Sequence, residues 1–180
     1  MASSSSPTAA LHETYSQALK LGYVDPNQDD TLLCVARIPA PWFANVDGHM
    51  RALAPPDNPT NPLFNDFYTA KVRNIETGMD HDEAHNKAAK DVNFRKRYRQ
   101  YLKQKEQKAA ISKIVKTLAT GTDVWLVCYA NTDNVFCHRD ILQEVIIEKY
   151  KLKLNWPNAI ILEYTRHSGL GYHRDWYTSG

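Results

Sequence analysis

The chain lacks the features that identify most of the familiar enzyme and binding-protein classes. Its 180 residues contain three cysteines, an odd number without paired spacing, which argues against a disulfide framework or a paired zinc-thiolate motif. No apolar run approaches the roughly 18 residues of a membrane span, and a signal-peptide core is missing from the start of the chain. There is also no phosphate-binding loop and no dinucleotide fingerprint. We therefore expect a cytoplasmic protein with free thiols, no membrane partner, no cofactor and no metal ligands.

Charge is almost balanced, with 22 Lys and Arg against 20 Asp and Glu and a net charge of +2. Total charge alone therefore does not indicate a nucleic-acid-binding protein. The apolar content of 43% and charged content of 23% are those of a soluble globular protein. The length fits one domain. We place it at residues 11–164, after a flexible leader at 1–10 and before a carboxyl-terminal tail at 165–180 that is a candidate lid.

The stretch from Gly121 to Ile147 contains the main signals for the fold and for a functional site. It begins with an apolar run at 124–130, which is typical of a strand buried on both faces. Apolar residues spaced three and four apart then predict a helix from about Ile141. The sequence Cys-His-Arg lies between the two elements. Open α/β sheets bind ligands at such strand–loop–helix junctions.

Two segments carry a family resemblance. The runs VWLVCYA and CHRDIL in the later segment, with LCVARIP over residues 33–39, resemble the domain of unknown function 488 family. The likeness covers roughly 31–147, and its specific part is the Cys-His-Arg block. The resemblance implies an α/β fold and a site built around the cysteine and the arginines. Because members of this family are mostly uncharacterised, it implies no particular reaction.

The order of elements predicts an α/β fold with three layers and a mostly parallel sheet. We predict strands at 31–38, 124–130 and 159–164, and a fourth strand within 42–50 or near the carboxyl terminus. Helices are predicted at 11–21, 63–75, 80–107 (as one helix or two) and 109–118. A long helical excursion then separates the first strand from the later ones. Parallel pairing is the default for such an alternation.

Cys137 and His138 are the candidate catalytic residues. A cysteine near a helix amino terminus and two residues before an arginine lies in a field that stabilises the thiolate. The alternative is that Cys137 is a half-buried apolar residue at a strand–helix junction.

Arg37, Arg139 and Tyr129 are the candidate substrate contacts. Arg37 closes the first predicted strand and Arg139 opens the helix after a later one. If those strands are neighbours, we expect both guanidiniums to converge on one anion. The alternative is a separate ion pair for each arginine.

Residues 94–105 form a basic segment that is a tentative nucleic-acid site. Its contact residues would be Arg95, Arg97, Arg99 and Lys103. The alternative is a solvated helix face above a core stripe. Upstream, His81 and His85 have a spacing compatible with a metal, although acidic residues that open a helix explain most of that pattern.

Two functions follow from these residues. The first is an enzyme that binds a phosphorylated or nucleotide-like anionic substrate at a cysteine–arginine site. The second is a non-enzymatic nucleic-acid- or nucleotide-binding module that uses the basic helix and the aromatic tail. The feature that separates them is whether Cys137 lines a pocket or is packed away.

Overall fold

A computed structural model of the chain describes residues 9–39, 46–129, 135–154 and 164–166. The leader up to residue 8, most of the strand predicted at 159–164, and the tail from residue 167 lie outside these ranges, as do residues 40–45, 130–134 and 155–158.

A five-stranded, all-parallel sheet forms the centre of the described structure. Its strands are β1 Leu11–Tyr15, β2 Thr31–Cys34, β3 Gly48–His49, β4 Val124–Cys128 and β5 Tyr164–Arg166. Their order across the sheet is β3-β2-β4-β1-β5. The α/β fold class with a parallel sheet is thus confirmed.

The described part of the chain contains six α-helices. They are α1 Ser16–Lys20, α2 Leu63–Glu76, α3 His81–Asp91, α4 Phe94–Tyr101, α5 Lys105–Ala119 and α6 His138–Leu154. A 3-10 turn covers Arg51–Leu53. The helices predicted at 63–75 and 109–118 are confirmed. The 80–107 region divides at Asn93, whose left-handed φ of 51° interrupts the α-helical backbone.

Strands β2 and β4 are parallel neighbours, as their apolar sequences predict. Thr31 is aligned with Val124, and Cys34 with Val127. Strand β4 is buried at all five positions, which requires cover on both faces of the sheet. This pairing determines which side chains meet at the carboxyl edge of the sheet.

The prediction of a helix over 11–21 was wrong in its first half. Residues 11–15 form strand β1, and the helix begins at Ser16. Strand β1 lies between β4 and β5 in the sheet. The strand predicted to be the first along the chain is therefore the second, β2. The long helical excursion follows β3. Apolar residues at 11, 15, 18 and 19 imitate helical spacing because they span a strand–helix boundary.

The core lies between the sheet and its helices. Its fully enclosed side chains include Leu11, Leu63, Tyr98, Ile114, Leu126 and Leu142. Within the described ranges, no helix has both the length and the apolar character needed to cross a membrane.

Candidate active site

The carboxyl ends of β2 and β4 meet at one edge of the sheet, where several polar groups collect. Val35, just after β2, donates its amide hydrogen to the Val127 carbonyl at 2.9 Å, which extends the strand pairing. Cys128 is the last residue of β4, and Cys137 directly precedes α6. The predicted strand–loop–helix junction therefore lies at the edge of the sheet where parallel sheets bind ligands.

Cys137 is nearly enclosed, with 4% of its surface exposed, and polar groups surround its sulfur. The Nε–H of Arg139 donates to Sγ of Cys137 at 3.2 Å. Nδ1 of His138 lies 3.9 Å from the same sulfur. The sulfur of Cys128 lies within 4.8 Å of it. Hydrogen bonds to a charged group favour its charged form, so this arrangement favours a thiolate.

The three cysteines therefore differ in acidity. The pKa of Cys137 lies well below its ordinary value, first because Cys128 donates to its sulfur and also because Arg139 and His138 lie beside it, while burial opposes the shift. The pKa of Cys128 is raised well above its ordinary value by the same hydrogen bond and by burial. Burial also raises the pKa of Cys34. Of the three cysteines, Cys137 is thus the one whose surroundings favour the thiolate.

Arg139 is a buried cation that supports this thiolate. Its exposure is 3%, and its Nη1 donates to the Thr14 carbonyl at the end of β1. Burial alone lowers the pKa of the guanidinium, but the charges of Cys137 and Glu13 raise it overall. Arg139 therefore stays protonated beside the sulfur. It does not line the pocket described below, so its position fits a partner of the thiolate better than a substrate contact.

His138 lies between the sulfur and the sheet. Its Nε2 is 3.0 Å from the Val35 carbonyl, an acceptor, so Nε2 carries the hydrogen and donates it. Nδ1 is the ring nitrogen that faces Cys137. The ring also packs edge-on against Tyr98, with centroids 5.6 Å apart and an interplanar angle of 87°. These contacts fix the orientation of the imidazole.

A pocket of about 560 Å³ opens beside Cys137. Its walls are largely aromatic and include Phe64, Phe67, Phe94 and Phe136. Edge-to-face contacts order these rings, with centroids 5.6 Å apart for Phe67 and Phe94 and 5.0 Å apart for Phe94 and Phe136. Cys128 and His138 also line the pocket. Cys137 is thus shielded from bulk solvent but lines a cavity. This favours a role in ligand binding or catalysis over a purely packing role.

Arg37 and Tyr129, the candidate substrate contacts, both line this pocket. Arg37 forms an ion pair with Asp57, and its guanidinium carbon lies 4.6 Å above the centre of the Phe64 ring. The hydroxyl of Tyr129 donates to the Ile38 carbonyl at 2.7 Å. Arg37 and Arg139 thus have different partners. Arg37 pairs with Asp57 and Arg139 contacts Cys137 and Thr14, so the described contacts do not bring the two guanidiniums to one shared group.

Helix α3 contributes to the site through two residues that the sequence did not identify as part of it. Nε2 of His85 donates to the Phe136 carbonyl at 2.9 Å, and the Phe136 amide donates to Oδ1 of Asn86 at 2.8 Å. Together they hold the backbone just before Cys137. His85 also lines the pocket, and burial lowers its pKa. In the sequence, the one functional signal on this helix is the His81–His85 spacing, which is compatible with metal binding.

The three arginines proposed as nucleic-acid contacts in the basic segment form ion pairs with carboxylates. Arg95 pairs with Glu144, Arg97 with Asp66 at 2.8 Å, and Arg99 with Glu144 at 3.0 Å and Glu148 at 2.7 Å. Lys103 is exposed. Phe94, Tyr98 and Leu102 are buried on the opposite face, as the sequence predicted. The contacts match the alternative of a helix face above a core stripe, with α4 joined to α6 by charge.

Comparison with known families identifies the group to which the chain belongs. A family model named DUF488-N3a, described as the active DUF488-N3 subclade, matches residues 16–150. No curated protein and no solved structure matches the chain. The matched range covers most of the chain and includes both Cys137 and the end of β2, so the resemblance seen in the sequence is confirmed. This chain is a member of the DUF488-N3a subclade of the domain of unknown function 488 family.

Proposed function

We propose that this protein is an enzyme that binds a nucleotide-like, phosphorylated substrate in the aromatic pocket and attacks it with the Cys137 thiolate. The observation that carries the proposal is the hydrogen bond from buried Arg139 to the sulfur of Cys137, a residue that lines the pocket. A cysteine that only filled space would need neither a buried guanidinium nor a cavity beside it. Perturbed ionisable groups in clefts are typical of functional sites.

The pocket fits a planar ring attached to an anion. Its volume of about 560 Å³ lies within the range of about 300–1,000 Å³ typical of small-molecule sites. Aromatic side chains offer faces and edges against which a base can stack. At the rim, Arg37 is paired with Asp57 while 31% of its side chain remains exposed. Since such a pair contributes little, a substrate phosphate can replace the carboxylate as the partner of Arg37.

The two histidines supply proton transfer in this proposal. Attack by a thiolate on an electrophilic carbon forms a sulfur–carbon bond and releases a leaving group that needs a proton. Nδ1 of His138, 3.9 Å from the sulfur, takes the Cys137 thiol proton as the thiolate forms and then gives that proton to the leaving group. His85 donates through Nε2 to a carbonyl, so its Nδ1 carries the lone pair that a general base requires. A water activated there would release the covalent intermediate.

The nucleic-acid-binding alternative has less support. The arginines that would contact phosphates are paired with carboxylates of α2 and α6. The part of that alternative based on the aromatic tail falls on residues outside the described ranges. We place the proposed enzyme in the cytoplasm, because its three cysteines are free thiols and a reducing compartment maintains them.

A thermal-shift screen of nucleotides, nucleosides and sugar phosphates tests the proposal. A ligand at 100 times its dissociation constant stabilises the folded state by about 2.7 kcal/mol. We expect nucleotides to raise the melting temperature more than the matching nucleosides, and Arg37→Met to reduce that difference. Arg95→Met, which removes an ion-paired arginine outside the pocket, is the matched control. The proposal fails if no compound shifts the melting temperature, or if the two variants respond alike.

A further inference from the structure

Cys128 is a second thiol at the site that the proposed reaction does not use. Its sulfur, the Cys137 sulfur and one ring nitrogen of His138 all lie within 4.8 Å of one another. Both cysteines line the pocket, although each is buried, with exposures of 7% and 4%. Cys34 also lies in the sheet but does not line this pocket. The site therefore contains a nucleophilic sulfur with a protonated thiol next to it.

We propose that Cys137 and Cys128 form a dithiol centre that reduces an organic hydroperoxide, with Cys137 as the attacking sulfur and Cys128 as the resolving thiol. This activity is additional to the reaction proposed above and requires no nucleotide. Its substrate class follows from the aromatic walls Phe64, Phe67, Phe94 and Phe136, which suit a hydroperoxide with an apolar or aromatic body.

The first step oxidises Cys137. Its thiolate attacks the terminal oxygen of the hydroperoxide, a sulfur–oxygen bond forms and the oxygen–oxygen bond breaks. The sulfur becomes a sulfenic acid, and the departing alkoxide takes a proton from solvent to give an alcohol. Thiolate character controls this step, since the thiolate is the nucleophile and the protonated thiol is not.

The second step uses Cys128. Its sulfur attacks the sulfenic sulfur, a disulfide forms, and the hydroxyl leaves with the Cys128 proton as water. An external dithiol then reduces the disulfide by exchange and becomes a disulfide itself. Overall, one hydroperoxide and two reducing thiols give one alcohol, one water and one new disulfide. Cys128 is suited to resolve because its sulfur lies within 4.8 Å of the Cys137 sulfur at the same pocket.

The placement of the two cysteines favours this chemistry over a bound metal. The two sulfurs lie within 4.8 Å of each other, and a disulfide requires a separation of about 2.05 Å. Cys137 precedes α6 and lies outside the strand that ends at Cys128, so a disulfide between them would join the end of β4 to the start of α6. A thiophilic metal would compete for the same sulfurs. However, the Arg139 guanidinium, 3.2 Å from the Cys137 sulfur, already supplies the neutralising charge.

Cumene hydroperoxide and hydrogen peroxide, each with dithiothreitol as reductant, are the probes for the full chain. We expect the wild type to consume cumene hydroperoxide faster than hydrogen peroxide, and Cys137→Ser to lose that consumption. Without reductant, peptide mapping of the oxidised wild type should find a Cys128–Cys137 disulfide. In Cys128→Ser, a cyclic 1,3-dione should instead trap Cys137 as a sulfenic acid. Cys34→Ser is the matched control and should behave like the wild type.

Three results would overturn the proposal. The first is that the wild type consumes cumene hydroperoxide no faster than Cys137→Ser does. The second is an oxidised wild type whose mapped disulfide includes Cys34 or is missing. The third is stoichiometric zinc in the purified protein that keeps both thiols from reacting until a chelator is added. If Cys128→Ser does not fold, Cys128→Ala replaces it, and the disulfide map of the wild type decides independently of either variant.

Discussion

Arg139 donates its Nε–H to the sulfur of Cys137 at 3.2 Å, with both side chains buried. A second nitrogen of the same guanidinium donates to the Thr14 carbonyl at the end of β1. One arginine thus connects three parts of the site: the start of α6, the sulfur and a strand of the sheet. Burying a cation is unfavourable unless an opposite charge accompanies it. The Cys137 thiolate and Glu13 provide that charge, and against the effect of burial both raise the pKa of the guanidinium.

Iodoacetamide should alkylate Cys137 faster than Cys34 or Cys128. The pKa of Cys137 is lowered, whereas the pKa values of the other two thiols are raised. The pH at which alkylation is half-maximal should also be lower for Cys137 than for the other two thiols, because only its pKa is lowered. Quenched labelling followed by peptide mass spectrometry measures all three rates in one sample. Equal or slower labelling of Cys137 in the folded protein contradicts a thiolate site.

Replacing Arg139 by Met should be costly to both stability and reactivity. Loss of one partner from a buried charged pair typically lowers the free energy of unfolding by about 3–5 kcal/mol. The Cys137 pKa should also rise, so the pH at which alkylation is half-maximal should rise with it. Arg95→Met is the control, because its pair with Glu144 leaves 59% of the arginine side chain exposed and should contribute about 0–1 kcal/mol.

Replacing Arg99 by Gln should weaken the contact between α4 and α6 without revealing a nucleic-acid site. Arg99 bonds both Glu144 and Glu148, at 3.0 Å and 2.7 Å. We expect a loss of about 0.2–1 kcal/mol that shrinks as salt is raised, because ions screen exposed charges. Urea unfolding at low and high salt measures this loss. Oligonucleotide binding by the wild type that weakens steeply with salt and is lost in the variant would instead restore the phosphate-backbone interpretation.

Much of the fold follows from local sequence. Strands β2 and β4 are nearly continuous apolar runs, which predict burial on both faces, and the structure pairs them in parallel. Strand β1 was not predicted because the local sequence does not show that β4 pairs with a second strand on its other side. Its sequence also contains Glu13, an unusual residue for a strand that is buried at four of its five positions. The nearby Arg139 accounts for the carboxylate there.

The site was only partly predictable for a similar reason. Cys137 follows from its position at a strand–helix junction, which is a local feature. The contribution of Cys128 depends on how the chain returns to the end of β4. That of His85 depends on α3 packing against the segment before Cys137. The His85 contact joins residues 51 apart in the sequence, and the Cys128 contact, although Cys137 is near in sequence, depends on the path of the loop between them. A single sequence contains no record of either.

His85 should make stability depend on pH in the mildly acidic range. Burial lowers its pKa from the ordinary 6.5, so the folded protein resists a proton that the unfolded chain accepts. Its contribution is therefore complete above 6.5 and is lost as the pH falls below that value towards the lowered pKa. His85→Gln keeps a hydrogen-bond donor but does not titrate. Melting temperatures should fall more steeply for the wild type than for the variant between about pH 7 and pH 5. Parallel curves would contradict this assignment.

Tyr98 and Tyr101 provide a matched test of how the core supports the site. The Tyr98 hydroxyl is fully buried and donates to the Leu53 carbonyl. The Tyr101 hydroxyl donates to the Ala52 carbonyl at 2.9 Å, and Gln107 donates to that same carbonyl at 3.1 Å. Removing the first hydroxyl takes a donor from an enclosed carbonyl. Removing the second leaves the Ala52 carbonyl with another donor.

Tyr98→Phe should therefore destabilise the protein more than Tyr101→Phe. A buried acceptor left without its donor costs about 1–3 kcal/mol, and each kcal/mol lowers the melting temperature of a protein of this size by about 2–4 °C. Calorimetry of the two variants measures the difference. Because Tyr98→Phe keeps the ring that packs edge-on against His138, the alkylation rate of Cys137 should stay near that of the wild type. If alkylation fell with stability, the Tyr98 hydroxyl would have a role at the site beyond holding the core. Equal stability of the two variants would contradict the importance assigned to the Leu53 hydrogen bond.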